Sequence, residues 1–152
     1  TNPTKNISFQ YDGKALAIEL PSGRKLYYQQ PNIYKKTTAH NGRKWTRDAI
    51  RYKGTNQDTK QWGWIDTYGG KLVENIVQAV ARDLLAVSMI RLNNDGFKIV
   101  MHVHDEAVAE VLIENAKQDL SRMCEIMGQE ISWAKGLPLN ADGYTTPFYK
   151  KD

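Results

Sequence analysis

The stretch from Lys71 to Leu92 is the feature that most restricts how this 152-residue chain can fold. Apolar side chains recur there every three or four residues, which predicts one long α-helix. Apolar positions cover most of the predicted circumference, so we expect a mostly buried helix. Its remaining narrow stripe is polar and comprises Lys71, Glu74, Asn75, Gln78 and Arg82. A buried helix of this length requires other elements to pack around it.

Short strand patterns precede the helix. Ile7–Tyr11 and Lys14–Leu20 flank Asp12-Gly13, a dipeptide typical of hairpin turns, and Arg24–Tyr28 predicts a third strand. Pro31–Lys60 is polar and weakly periodic. We therefore expect a long irregular excursion there, with one strand near Ala49–Tyr52.

A second hairpin pattern follows the helix. Phe97–Val103 and Glu106–Val111 read as strands joined by a two-residue corner at His104-Asp105. Leu112–Met127 then carries apolar residues at helical spacing, and Leu139–Tyr149 predicts a last extended segment. Strands and helices that do not alternate regularly indicate an α+β fold with an antiparallel sheet.

The charge is divided unevenly along the chain. Residues 1–62 hold 12 Lys or Arg and 4 Asp or Glu, whereas residues 63–152 hold 9 and 13. A basic segment suits a polyanion, because Lys and Arg replace the counterions condensed on phosphates. A solvated, loop-rich segment explains the same composition. Aromatic residues interleave with the basic ones: Tyr27, Tyr28, Tyr34, Trp45, Tyr52, Trp62 and Trp64.

Metal-binding and proton-transferring side chains are concentrated at one place, His102-Val103-His104-Asp105-Glu106. Two adjacent carboxylates at a tight corner between apolar strands form a plausible site for a divalent cation. A solvated acidic turn is the alternative. Because side chains alternate in extended backbone, Asp105 and Glu106 need not bind the same ion.

A strand, His-Asp-Glu and a second strand resemble motif C of family A (DNA polymerase I type) DNA polymerases. The order of the surrounding segments strengthens this resemblance, most clearly with the phage and prophage branch. Gln78-Ala79-Val80-Ala81-Arg82-Asp83 is similar to the family's helix bearing a Gln and, five residues later, an Asp. Gly23-Arg24-Lys25 resembles a Gly-Arg-rich segment upstream of that helix, and Leu137-Pro138-Leu139 resembles the approach to the last palm strands.

The resemblance implies an antiparallel palm-type sheet with packed helices, in an incomplete polymerase palm. Residues 1–66 would form a basic hairpin and loop region at the junction of palm and fingers, and residues 67–152 the palm core. Asp105 would be a catalytic metal ligand and Glu106 a supporting catalytic carboxylate. Primer and template contacts would come from Gln78, His104, Arg82, Asn75, Arg24 and Lys25.

Two of the family's landmarks are missing from the sequence. Motif A, with its Asp-bearing strand, and the fingers helix, with an Arg and a Lys facing the triphosphate, are absent; we expect both to lie before Thr1 in a longer protein. The resemblance implies two Mg²⁺ per complete site, so this C-terminal part should be inactive alone. Its implied partners are primer–template DNA, dNTP and the remainder of the polymerase chain, with no membrane.

The single cysteine, Cys124, has no internal disulfide partner, which fits a reducing cytoplasm. Two other functions compete with a polymerase. His102-x-His104-Asp105 also has the character of a metal-dependent hydrolase site. The basic, aromatic N-terminal half alternatively favours a non-catalytic nucleic-acid-binding module.

Overall fold

The computed structural model describes residues 7–149, which form two compact units divided within one helix. Residues 7–79 form the N-terminal unit and residues 80–149 the C-terminal unit. Both contain antiparallel strands and helix, so the α+β class with antiparallel sheets agrees with the structure. The palm assignment and the division at residue 66 stay predictions.

The N-terminal unit contains a five-stranded antiparallel sheet in which each strand pairs with the next along the chain. The hairpin predicted around Asp12-Gly13 is confirmed, and the Asp12 carboxylate accepts the backbone N–H groups of Lys14 and Ala15. These bonds lower the pKa of Asp12. The strands are β1 (Ser8–Tyr11), β2 (Ala15–Glu19), β3 (Lys25–His40), β4 (Arg43–Thr55) and β5 (Trp62–Thr67).

The irregular excursion predicted for Pro31–Lys60 is wrong. Most of it belongs to the long hairpin of β3 and β4, which turns at Asn41-Gly42 with φ of 49° and 75°. Positive φ at both central residues is the signature of a type I′ turn, whose twist matches that of the paired strands. β5 was likewise not predicted. The apolar residues of β3 and β4 are interrupted by many polar and charged ones without a regular alternation, so hydrophobic periodicity gave little signal.

The predicted helix is confirmed as α1, Gly69–Asn94, and it continues through both units. The expectation that it is mostly buried is wrong. Ile76, Leu85 and Leu92 are buried, whereas the side chains of Val73 and Val77 are 58% and 62% exposed. The helix therefore buries only part of its apolar surface within the described chain.

The C-terminal unit contains the second part of α1, a two-stranded hairpin and a shorter helix. The hairpin is formed by β6 (Lys98–Val103) and β7 (Glu106–Glu110), and α2 spans Ala116–Met127 after a 3-10 turn. These elements confirm the predictions. Leu139–Tyr149, by contrast, forms neither strand nor helix, so the expected closing strands are not present in the described chain.

Buried apolar side chains form a core in each unit. Ile18, Leu20 and Tyr28 are buried in the N-terminal unit, and Leu92, Ile126 and Ile131 in the C-terminal unit. In the C-terminal unit Arg122 joins α2 to the end of α1 through Asp95, at 2.8 Å, and this pairing lowers the pKa of Asp95. Within residues 7–149, neither helix has the length and apolar character needed to cross a membrane.

Candidate functional site

The corner between β6 and β7 places three predicted site residues in succession. Val103 pairs with Glu106 across the hairpin, so His104 and Asp105 alone form its two-residue loop, as predicted. His104, Asp105 and Glu106 are all exposed. The corner therefore presents an imidazole and two carboxylates to solvent at the end of a short ladder, whose register shifts between Ile99 and Met101.

His104 adopts an unusual backbone conformation, with φ of +50°, whereas the φ of Asp105 is not positive. Positive φ at the first loop residue alone is the sign pattern of a type II′ turn, in which glycine usually occupies that position. A residue with a Cβ incurs a cost of about 1–2 kcal/mol there. Strain of this kind concentrates at functional sites.

The carboxylates of Asp105 and Glu106 make no hydrogen bond or ion pair with other residues of the described chain. Residues 7–149 contain no group of three or more His, Cys, Asp and Glu side chains able to enclose a metal ion. Carboxylate oxygens nevertheless suit Mg²⁺, which commonly binds one or two carboxylates and completes its shell with water and substrate phosphates. The corner thus fits a partial, open site for Mg²⁺.

Arg82 on α1 contacts His102 on β6, two strand residues before the corner. Arg82 Nη1 lies 3.3 Å from His102 Nδ1, and Nη2 lies 3.3 Å from Nε2. Guanidinium groups only donate, and a neutral imidazole has one accepting nitrogen, so at most one of these contacts is a hydrogen bond at a time. Zinc ligation by His102 would require Arg82 to move, which weakens the hydrolase alternative.

The resemblance implied a primer and template contact for Arg82, and the sequence placed His102 in the same cluster as the corner residues. The contact between them was missed because 20 residues separate them in the chain. It ties the strand that leads into the corner to α1.

Gln78 and Asn75 lie on the first part of α1, in the N-terminal unit. Gln78 is exposed, and its side chain has no hydrogen-bond partner among residues 7–149. Asn75 Nδ2 instead donates to the hydroxyl of the buried Tyr28 at 3.0 Å. The amide of Gln78 is therefore the one available to a ligand, while that of Asn75 joins helix and sheet.

Lys25 is the first residue of β3 and Arg24 directly precedes it, and both are engaged within the N-terminal unit. Arg24 Nη2 donates to the backbone carbonyl of Ala79 at 2.7 Å, which fastens the strand to α1. Lys25 Nζ lies 3.5 Å from a Glu19 carboxylate oxygen and 3.4 Å from the Gln10 amide oxygen. These contacts give both cations a role in packing; their predicted phosphate contacts stay predictions.

The predicted site residues fall into two groups. Arg82, His104, Asp105 and Glu106 lie in the C-terminal unit, whereas Arg24, Lys25, Asn75 and Gln78 lie in the N-terminal unit. α1 supplies Asn75 and Gln78 to the second group and Arg82 to the first, and Gln78 and Arg82 are four residues apart on it. That spacing places their side chains on the same side of the helix.

Cationic and aromatic side chains on β3, β4 and β5 belong to the basic, aromatic half that the sequence linked to nucleic acid, but their grouping on one face of a sheet was not predicted. The cations Arg51 and Lys53 lie over the ring of Trp64 at 4.3 Å and 5.3 Å from its centroid. The signal that could have located them is the Asn41-Gly42 turn, from which the pairing of β3 with β4 follows as far as Asn32 and Arg51.

This chain is similar in sequence to a phage protein. No protein-family model and no solved structure matches it. The chain is 49% identical over 146 residues to the DNA polymerase of Bacillus phage SP02, an alignment that covers 96% of this chain and 21% of that protein. The chain thus spans about a fifth of the length of this relative. Along nearly its whole length it is similar to one segment of a protein named DNA polymerase.

Proposed function

We propose that this chain is part of a DNA-directed DNA polymerase of family A and contributes a palm segment with one metal-binding aspartate. The exposed corner of β6 and β7 carries this proposal, because Asp105 lies there beside the strained His104 and has no partner among residues 7–149. The similarity to a phage DNA polymerase supports the general class independently.

The reaction is nucleotidyl transfer, in which the primer 3′-hydroxyl attacks the α-phosphate of a dNTP and pyrophosphate leaves. Mg²⁺, when bound, lowers the pKa of the attacking hydroxyl and neutralises charge on the phosphates. Asp105 would supply a carboxylate oxygen to the ion, and Glu106 a supporting carboxylate. His104, first in the corner, would contact the sugar or backbone of the primer terminus.

Helix α1 would contact the newly formed base pair in the minor groove through Gln78. Gln78 has both donor and acceptor groups free, and the minor groove offers an acceptor at nearly the same place in every base pair. Such a contact tests the shape of a pair without reading its sequence. Arg82 would assist at the sugar-phosphate backbone; we propose weaker supporting contacts from Asn75, Arg24 and Lys25.

Primer extension by a chimera tests the proposal, with this chain replacing the homologous segment of the Bacillus phage SP02 DNA polymerase. Asp105→Ala should lower extension at least about a hundredfold, since loss of a metal ligand removes several kcal/mol of transition-state stabilisation. Gln78→Ala should lower it up to about tenfold, the value of one neutral hydrogen bond.

Glu110→Gln is the matched control, because Glu110 is an exposed carboxylate at the other end of the same hairpin, paired with Lys98. An exposed ion pair contributes about 1 kcal/mol or less to stability, so extension should stay close to that of the unmodified chimera. Asp105 would be excluded from the metal site if Asp105→Ala extended primers as well as Glu110→Gln does.

A further inference from the structure

The strand register separates the side chains of β3, β4 and β5 into two chemically different faces. Directly paired residues share a face and successive residues alternate between faces. One face, called here the basic face, contains Tyr34, Lys36, Arg43, Trp45, Arg47, Arg51, Lys53, Trp62, Trp64 and Asp66. The opposite face contains Ile33, Ile50, Tyr52 and Ile65, and Ile50 and Tyr52 line a small apolar pocket together with Leu16 and Leu72.

The basic face holds five cations and one acid on these strands. The acid, Asp66, is already paired: it accepts hydrogen bonds from Lys36 Nζ and, at 2.9 Å, from the Tyr34 hydroxyl. These bonds lower the pKa of Asp66 and keep it ionised. Arg43, Arg47, Arg51 and Lys53 have no carboxylate within salt-bridge distance among residues 7–149.

Arg51 is held at the centre of this face by two aromatic rings. Its guanidinium carbon lies 4.4 Å from the centroid of the Tyr34 ring and 4.3 Å from that of Trp64. Its Nε is buried without a hydrogen-bond partner in the described chain. The rings fix the side chain by cation–π attraction while its terminal N–H donors make no protein hydrogen bond. A guanidinium so prepared suits a bidentate contact with phosphate.

Three tryptophans on the same face are largely exposed. Trp45 is 47% exposed, Trp62 63% and Trp64 45%. Large aromatic rings are usually buried, and a group of exposed ones indicates a surface that meets a ligand. Same-face neighbours along a strand are about 7 Å apart and adjacent strands about 5 Å apart, so rings and cations interleave within a few ångströms of one another.

We propose that the basic face binds single-stranded DNA, with phosphates at Arg43, Arg47, Arg51 and Lys53 and unpaired bases stacked on Trp45 and Trp62, whose rings carry no cation among residues 7–149. Cationic surfaces interleaved with aromatic rings bind single strands in this way, because each base presents a π-face and each nucleotide a phosphate. Bases within a duplex are already stacked and leave no face for a ring. This site uses none of the residues of the β6–β7 corner and therefore goes beyond the proposed polymerase site.

Binding of a fluorescent 20-nucleotide oligo(dT) to the whole chain, measured by anisotropy at several salt concentrations, tests the proposal. Trp45→Ala should weaken binding about fivefold to a hundredfold, the range for loss of one stacked base. Arg43→Ala with Arg47→Ala should reduce the slope of log K against log salt by about 1.4, since each phosphate contact to a single strand contributes about 0.7.

Lys44→Ala is the matched control: Lys44 is an exposed cation next to Arg43 in β4 but lies on the opposite face. It should change the affinity less than twofold, and thermal unfolding should show all variants folded. The proposal is overturned if Lys44→Ala weakens binding as much as Trp45→Ala, if a duplex of equal length binds as tightly as oligo(dT), or if no binding occurs at low salt. Glu110→Gln, an exposed carboxylate of the β6–β7 hairpin, should leave binding unchanged. Because binding is measured without primer extension, this result is separate from the test of the polymerase proposal.

Discussion

At the scale of single residues, His104 is the position where conformation and chemistry are least compatible. The first loop residue of this hairpin has φ of +50°, where glycine would avoid the steric cost that a Cβ imposes. Histidine occupies left-handed conformations more often than most residues do, yet still less easily than glycine. The imidazole at that position is therefore best explained by the contact with the primer terminus proposed for it.

Replacing His104 by glycine and by alanine separates conformation from chemistry. His104→Gly should stabilise the chain by about 0.5–1 kcal/mol, because relief of about 1–2 kcal/mol of strain exceeds the entropic cost of glycine. His104→Ala keeps the Cβ and should change stability little. Thermal unfolding of the whole chain measures the stability of both variants. In the chimera, both variants should extend primers more slowly than the unmodified chimera does. A glycine variant less stable than the alanine variant would contradict this account.

At the scale of elements, the parts of the chain that could be predicted are those whose apolar residues follow a clear period. α1, α2 and the β6–β7 hairpin were located from such periods, and the corner at His104-Asp105 from the change between two apolar runs. The β3–β4 hairpin could not be found in this way. Its polar positions are as regular as its apolar ones, and one face is cationic rather than apolar.

The site was predictable to a similar extent. Asp105 and Glu106 could be located as a pair of exposed carboxylates, whereas the contact of Arg82 with His102 depends on how α1 lies against β6. The hydrogen bond that Asn75 donates to the Tyr28 hydroxyl likewise depends on the packing of α1 on the sheet. Spacing along one helix cannot encode contacts with residues that are distant in sequence.

The turn at Asn41-Gly42 should control the long β3–β4 hairpin and, with it, the basic face. Gly42 has φ of +75°, and alanine there should destabilise the hairpin by about 1–2 kcal/mol. Gly63 in β5 is the matched control, because its φ is not positive and a Cβ built on it meets nothing within 4 Å. Hydrogen exchange of the β3 and β4 amides should quicken in Gly42→Ala and stay slow in Gly63→Ala. Equal exchange in the two variants would show that strand pairing alone holds the hairpin.

At the scale of the whole molecule, both units expose large apolar side chains. Phe9 is 60% exposed and Val77 62% in the N-terminal unit, and Ile113 is 95% exposed and Phe148 68% in the C-terminal unit. If the chain is a segment of a polymerase, as proposed, the remainder of that polymerase would pack on such residues. The catalytic centre would then be completed by the same packing, since the carboxylates of one hairpin corner are a small part of a two-metal site.

The chain by itself should therefore not extend a primer. Two ions about 3.5–4 Å apart need carboxylates that bridge them from more than one element, and residues 7–149 contain no cluster of three metal-binding side chains. Incorporation of labelled dNTP into primer–template, with Mg²⁺ and protein in excess over DNA, measures this, and the chimera serves as the active reference. Incorporation by the isolated chain that Asp105→Ala abolishes would mean that this chain itself supplies the second carboxylate. The polymerase assignment would then stand, while the division of the active site between this segment and the rest of the enzyme would fall.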